Sequence, residues 1–373
     1  MNRNPFILTP AIPDELFCDR VAEVQSLIKS MTNQENVVLT SPRRVGKTGL
    51  IYHCFNQPLI KEHYITISID ILHTTSFQEF VLELGNAVFR TVAKRSDRLM
   101  KLFTTCLRSL NGSFGFDPLT GMPTFDVKLG QIGKPEYTLD EIFSYLENAG
   151  RPCIVAIDEF QQILKYQGYN MEALLRGRIQ KLSNTNFVFA GSERRIMNEM
   201  FFSDKRPFFQ SATLLQLEPI AIQAYSDFVV HHFGAAGKAI DHEAIVWVYE
   251  KYEGITMYTH KLFHDAYAEI EAGETCKVAD VERLSNQLIQ QNAKRLQELL
   301  AYITEQQKEL LYAIAAEGRA SQVTSSAFVK RHHLKSASAV QSAVKRLLDF
   351  DIITEQGRSY TVSDPLLRIW LEA

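Results

Sequence analysis

The sequence predicts an α/β domain on a five-stranded parallel sheet, then an all-α region, then a small domain of three helices and a hairpin. Three observations carry this: apolar runs alternate with helical periodicity over residues 1–217, helical periodicity is nearly continuous over 218–300, and the organisation changes again over 301–373.

In chain order, Val21, Val24, Leu27, Ile28 and Met31 recur at helical spacing and predict a helix over 18–31. An apolar run at 37–40 predicts a strand, 47–56 a helix and 64–69 a second strand. Phe80, Leu84, Val88 and Val92 set a helical pattern over 77–110. Between 111 and 135 Gly, Pro and aromatic residues take over, and Asp117, Pro118, Leu119, Thr120 and Gly121 read as a turn, so an inserted loop or hairpin is expected. Alternation resumes with a helix at 138–148, a strand at 153–157, a helix at 171–182 and strands at 187–190 and 213–217. That makes five parallel strands with helices on both faces.

Between the first strand and its helix stand Ser41, Pro42, Arg43, Arg44, Val45, Gly46, Lys47 and Thr48, followed by Gly49. This is a phosphate-binding loop. Its backbone N–H groups wrap a polyphosphate, Lys47 reaches the outer phosphates and the Thr48 hydroxyl faces a bound Mg²⁺. The helix N-terminus adds donors and a favourable dipole for the anion. Ser41 stands where the P-loop pattern has its first glycine, so its turn must be made with an allowed backbone.

The run at 153–157 reads as a strand buried on both faces, and Asp158 and Glu159 follow at its carboxyl end, where ligands bind in open α/β sheets. Asp158 is placed to hold Mg²⁺ and Glu159 to polarise an attacking water. Taken singly, such a pair also serves as a helix N-cap with a favourable first-turn charge. Gly191 and Ser192 fall at the end of the next strand. In NTPases with a catalytic glutamate beside the Mg²⁺ aspartate that position carries a polar residue that senses the γ-phosphate, while taken alone Ser192 is equally a small residue terminating a strand. Lys47, Glu159 and Ser192 are thus the catalytic candidates, and Thr48 and Asp158 the metal-binding ones.

Composition suits a soluble enzyme. The 373 residues are 46% hydrophobic and 22% charged, and the net charge of −3 argues against a protein that coats nucleic acid wholesale. Cysteines at 18, 54, 106, 153 and 276 have no metal-ligand spacing. With no secretory pattern and no apolar stretch near 18 residues, a cytoplasmic, non-membrane protein is expected.

Over 218–300, Tyr225, Phe228, Val229 and Phe233 share one face and Ile245, Trp247, Val248 and Tyr252 another. A lid over a nucleotide and a plain helical bundle are the two readings. Residues 301–373 give helices at 304–316, 324–332 and 336–349, then strands at 351–354 and 358–362, which is winged-helix architecture. The third helix offers Lys335, Ser336, Ser338, Gln341, Ser342 and Lys345 for phosphate and base-edge contacts. Nine Lys and Arg stand against eight Asp and Glu in this segment, without the basic excess that drives phosphate binding. Duplex DNA and a protein partner both remain open.

These patterns together resemble the archaeal-type ATPases, signal-transducing (STAND) P-loop NTPases related to the AAA+ proteins. The likeness rests on Phe17, Asp19, Arg20 and Glu23; the doubled arginine before Gly46 and Lys47; the IDEFQ run from Ile157 to Gln161; Leu175, Arg176, Ile179 and Gln180; Gly191 with Ser192; and the Asp364, Pro365, Trp370 ending. The resemblance implies an Mg²⁺-dependent ATP switch, with a hydrolysing core over 1–217, a helical lid over 218–300 and a winged helix over 301–373, and it is compatible with oligomerisation. Two departures stand out. Gly254, Ile255 and Thr256 lack the proline that relatives place near the adenine, and Pro207, Phe208 and Phe209 lead to Gln210 and Ser211 where relatives carry Gly-Arg. An activating arginine would then come from Arg176, Arg194, Arg195 or Arg206. A DNA-binding regulator and a scaffold with a nearly inactive ATP site are the alternative functions.

Overall fold

Residues 4–93, 97–107, 109, 114–116, 123–125 and 132–372 are described by the structure, a computed structural model. The chain divides into two compact units, Thr9–Glu218 and Met1–Leu8 with Pro219–Ala373.

The first unit carries the strands β1 (Val37–Thr40), β2 (Ile65–Asp70), β3 (Phe114–Phe116), β4 (Pro123–Phe125), β5 (Cys153–Asp158), β6 (Thr185–Gly191) and β7 (Thr213–Gln216), with helices α1 (Val21–Thr32), α2 (Lys47–Asn56), α3 (Pro58–His63), α4 (Phe77–Ala93), α5 (Asp97–Cys106), α6 (Pro135–Glu147), α7 (Met171–Ile179) and α8 (Arg194–Phe202). Five strands form a parallel sheet in the order β2, β5, β6, β1, β7. β5 and β6 are buried along their whole length, as central strands covered on both faces must be. The helical pattern at 77–110 becomes two helices, and residues 94–96 between them lie outside the described residues. β3 and β4 pair antiparallel within the 111–135 insertion; the segments at 111–113, 117–122 and 126–131 lie outside the described residues.

An aromatic core sets the site's backbone. Glu159 carries φ 55 and ψ 43, the left-handed region, which costs a non-glycine residue about 1–2 kcal/mol. Phe160 beside it is fully buried, with ring centroids 4.5 Å from Phe189, 5.9 Å from Phe201 and 5.5 Å from Phe208. Burying that ring is worth about 2–3 kcal/mol, enough to hold the strained residue in place.

The second unit has helices α9 (Ile222–Ala235), α10 (His242–Lys251), α11 (Thr256–Glu269) and α12 (Val278–Ala301) and a minimal parallel pair, β8 (Ala239–Ile240) and β9 (Thr275–Cys276). α13 (Glu305–Glu317), β10 (Ala320–Ser321), α14 (Ser326–Arg331), α15 (Ala337–Asp349), β11 (Ile353–Gln356), β12 (Ser359–Val362) and α16 (Pro365–Glu372) complete a winged helix. Thr304 and Gln307 form a capping box at α13, and Ser336 caps α15 by accepting from Ala339 N–H. The winged helix has a third strand, β10 against β12, and a closing helix, α16, beyond the elements the pattern predicts. Asp364 accepts from Tyr258 of α11 at 2.6 Å, and Arg368 Nη2 donates to the Lys251 carbonyl at 3.0 Å, tying α16 to the helices before it.

The N-terminal strap belongs to this unit. Phe6 is fully buried among Phe228, Phe233, His260 and Phe263, with ring centroids 5.7–6.0 Å away. Asn4 Nδ2 donates to the His264 carbonyl at 2.9 Å, and the Phe6 carbonyl lies 2.9 Å from His264 Nδ1. Among the described residues no helix is long and apolar enough to cross a membrane.

Candidate active site

All five parallel strands end at one edge of the sheet, and β1 leads there into the phosphate loop. Thr40 at the end of β1 pairs with Gly191 of β6, so the loop opens beside Ser192. The acidic strand β5 lies one strand further, on the other side of β6.

Ser41 is fully buried and lies outside the left-handed region; the loop's positive φ angles fall on Arg44 (69°) and Gly46 (107°). A serine therefore fits the first position of the motif without strain. Its Oγ donates to the Pro42 carbonyl at 2.6 Å and accepts from Lys47 Nζ at 3.4 Å. Gly46 is the N-cap of α2, and no side chain caps that helix. The first-turn amides of a helix have no intrahelical acceptor, which is the arrangement anion binding uses. Lys47 is buried and Thr48 follows it in the first turn.

Thr48 Oγ1 donates to Asp158 Oδ2 at 2.6 Å, joining residues 110 positions apart. Burial pushes the Asp158 carboxyl above its ordinary value, against the opposing Thr48 hydrogen bond and Lys47 charge. Glu159 is half-buried. Its Oε2 accepts from Ser192 Oγ at 2.7 Å and from Gln161 Nε2 at 2.6 Å. Burial alone would raise this carboxyl, but Ser192, Lys47, Gln161 and Arg43 together hold it below the usual range, so Glu159 is an anion at neutral pH. Arg43 Nε donates to Ser192 Oγ at 3.3 Å, linking the phosphate loop to β6 and onward to Glu159.

Lys47, Thr48, Asp158, Glu159 and Ser192 thus come together at one edge, with the loop residues from Ser41 to Gly49 around them. Two contributors lie outside the motif. Gln161 reaches back to Glu159, and Gly191 gives it room: a Cβ there would lie 2.5 Å from Gln161 Oε1 and 2.6 Å from Met197 Cγ. Both stand in patterns that carry the resemblance, the IDEFQ run and Gly191 with Ser192, but nothing in the sequence says that the two meet.

The four arginines divide. Arg206 pairs with Glu172 at 2.9 Å and Glu199 at 3.7 Å, and Arg194 with Glu218 at 2.6 Å. Arg176 is half-buried and Arg195 exposed, and among the described residues neither side chain has a hydrogen-bond or ion-pair partner.

A hydroxyl and a carboxylate within 2.6 Å are hard oxygen donors suited to Mg²⁺. Among the described residues no group of three or more His, Cys, Asp or Glu could hold a metal by itself.

Residues 294–373 match the family model of a probable winged helix domain. No curated protein matches the sequence. Among solved structures, the chain is similar to a Walker-type ATPase of Pyrococcus abyssi, with 18% identity, a TM-score of 0.70 and 99% of this chain and 100% of the other covered. It is also similar to the Aeropyrum pernix ORC2 protein in its ADPNP and ADP complexes, with 11% identity, a TM-score of 0.61 and coverage of 100% and 97%. The Aeropyrum pernix ORC1 protein in complex with DNA is similar at 13% identity and a TM-score of 0.51, with coverage of 99% and 96%. At these identities the likeness is one of fold.

Proposed function

We propose that the protein is a Mg²⁺-dependent ATPase of the signal-transducing (STAND) P-loop class, a switch that couples nucleotide state to its winged helix. The observation that carries this reading is the 2.6 Å hydrogen bond from Thr48 to Asp158, which brings the phosphate loop and the acidic strand to one point with Glu159 one residue away. Lys47 and the loop amides hold the phosphates, and Thr48 and Asp158 hold Mg²⁺, which screens phosphate charge when bound. Glu159 takes a proton from the attacking water, and Ser192 meets the γ-phosphate side of the site. The five free thiols suit a cytoplasmic protein.

The output runs through α15, whose Ser338, Gln341, Ser342 and Lys345 are exposed. Duplex DNA is the favoured partner, supported by the match to a probable winged helix domain and the fold shared with a protein solved in complex with DNA. Phosphate release from Mg·ATP by the wild type and by Glu159→Gln, each with and without duplex DNA, tests both parts. Loss of turnover in the variant with nucleotide binding retained supports the catalytic reading, and stimulation by DNA supports the partner. ATP held intact by both proteins would replace the enzyme with a nucleotide-binding scaffold.

A further inference from the structure

We propose that Gln161 is a positioning residue for hydrolysis, its side-chain amide fixing one oxygen of Glu159 so that the other is presented to the attacking water; this rests on reading Glu159 as the proton acceptor. Gln161 is 3% exposed and donates through Nε2 to Glu159 Oε2 at 2.6 Å. Ser192 donates to the same oxygen. Among the described residues Glu159 Oε1 accepts no hydrogen bond, so the carboxylate is held at one end and open at the other.

Gln161 makes this contact at the expense of its own satisfaction. Its Oε1 is buried with no partner among the described residues, and an unpaired buried acceptor is destabilising. A methionine of similar length would fill the space without that penalty, so packing alone does not account for an amide here. Turning the amide over is worse on both sides: Oε1 would face a carboxylate, and the NH₂ would face the Met197 side chain. Gly191 adds a third observation, because a Cβ there would occupy the place of Gln161 Oε1, 2.5 Å away. The backbone of β6 is kept bare where the amide must lie.

In the reaction this geometry serves, the water oxygen bonds to the γ-phosphorus as the bond to the β–γ bridging oxygen breaks. ADP leaves with that electron pair, and the water's proton passes to Glu159 Oε1. Gln161 touches none of the reacting atoms. Its effect therefore falls on kcat and spares nucleotide affinity.

Phosphate release, affinity for a fluorescent ATP analogue and thermal unfolding of full-length wild type, Gln161→Met and Gln161→Asn test the proposal. Gln161→Met is expected to keep or raise Tm and to hold KM and affinity within about twofold, while kcat falls about 10- to 100-fold, the effect of a mispositioned group. Gln161→Asn, whose amide falls short of Glu159, is expected to lose kcat to a similar degree. Wild-type kcat in Gln161→Met overturns the proposal and leaves the ATPase intact. Parallel falls of Tm, affinity and kcat in both variants make the residue structural and overturn it too. A wild type that binds ATP without any turnover removes the ATPase reading and the proposal together.

Discussion

Replacing Arg206 by Met removes the guanidinium that neutralises Glu172, whose side chain is 7% exposed and 2.9 Å from Arg206 Nη2. The same arginine reaches Glu199 at 3.7 Å, so one side chain joins α7 to α8. Breaking a buried ion pair from one side costs about 3–5 kcal/mol; with Arg206 itself partly exposed, about 3 kcal/mol is expected here. In a unit of this size that corresponds to a Tm lower by about 6–12 °C. The pH dependence has a definite sign. Burial already raises the Glu172 carboxyl above its ordinary value, Glu199 adds to this and Arg206 opposes it, so removing Arg206 raises it further. A carboxyl with a raised folded pKa favours the fold below its ordinary pKa and loses that contribution as pH rises through the folded value. The Tm deficit of Arg206→Met is therefore smallest in acid and grows as pH rises through the raised value of the Glu172 carboxyl. Adding Glu172→Met should restore most of the loss. Thermal unfolding across pH, with phosphate release measured beside it, provides the check. An unchanged Tm at every pH, with turnover lost, would refute the packing role and return Arg206 to the catalytic candidates.

Three further outcomes are expected. Gly191→Ala forces Gln161 and Met197 to move by nearly 1 Å, costing about 1–3 kcal/mol by overpacking; denaturant unfolding reads that loss, phosphate release shows reduced kcat, and wild-type values for both would mean the site tolerates the side chain. Thr48→Ala leaves Asp158 without its hydroxyl partner, lowering stability by about 1–2 kcal/mol and raising the Mg²⁺ concentration for half-maximal turnover about tenfold; a titration that overlays the wild type removes Thr48 from the metal site. His260 is buried, accompanied by His232 and His264, and its pKa is pushed down to about 4 while its Nδ1 lies 2.6 Å from the Tyr225 hydroxyl. Because the unfolded chain takes up the proton first, stability should fall by about 3 kcal/mol between pH about 6.5 and 4, and His260→Gln should flatten that slope in unfolding curves.

Much of the fold was legible because its signals are local. A strand buried on both faces leaves a continuous apolar run, and the phosphate loop joins a strand directly to a helix. Lys47, Thr48, Asp158, Glu159 and Ser192 were accessible by the same route. Sheet order was not, since nothing local says that β6 separates β1 from β5. β6 also starts earlier than its apolar core suggests: Asn186 reads as a loop residue, yet it is buried and donates to the carbonyls of Met31 and Glu35. The left-handed backbone at Glu159 follows from the docking of Phe160 into a cluster assembled from distant segments. Gln161 closes the IDEFQ run, but its contact with Glu159 and the bare backbone of Gly191 against it are visible only in the fold.

The strap at the start of the chain carries a consequence for the order of assembly. During synthesis Phe6 leaves the ribosome well before residues 228–263, which supply the rings that enclose it. The Asn4 to His264 hydrogen bond spans 260 positions. By then the whole of Thr9–Glu218 has been made and can fold as a unit, as domains do in turn on the ribosome. Closing so long a loop is slow and yields nothing until its far end exists. The strap is made long before its pocket and can reach its place only after residues 228–264 exist.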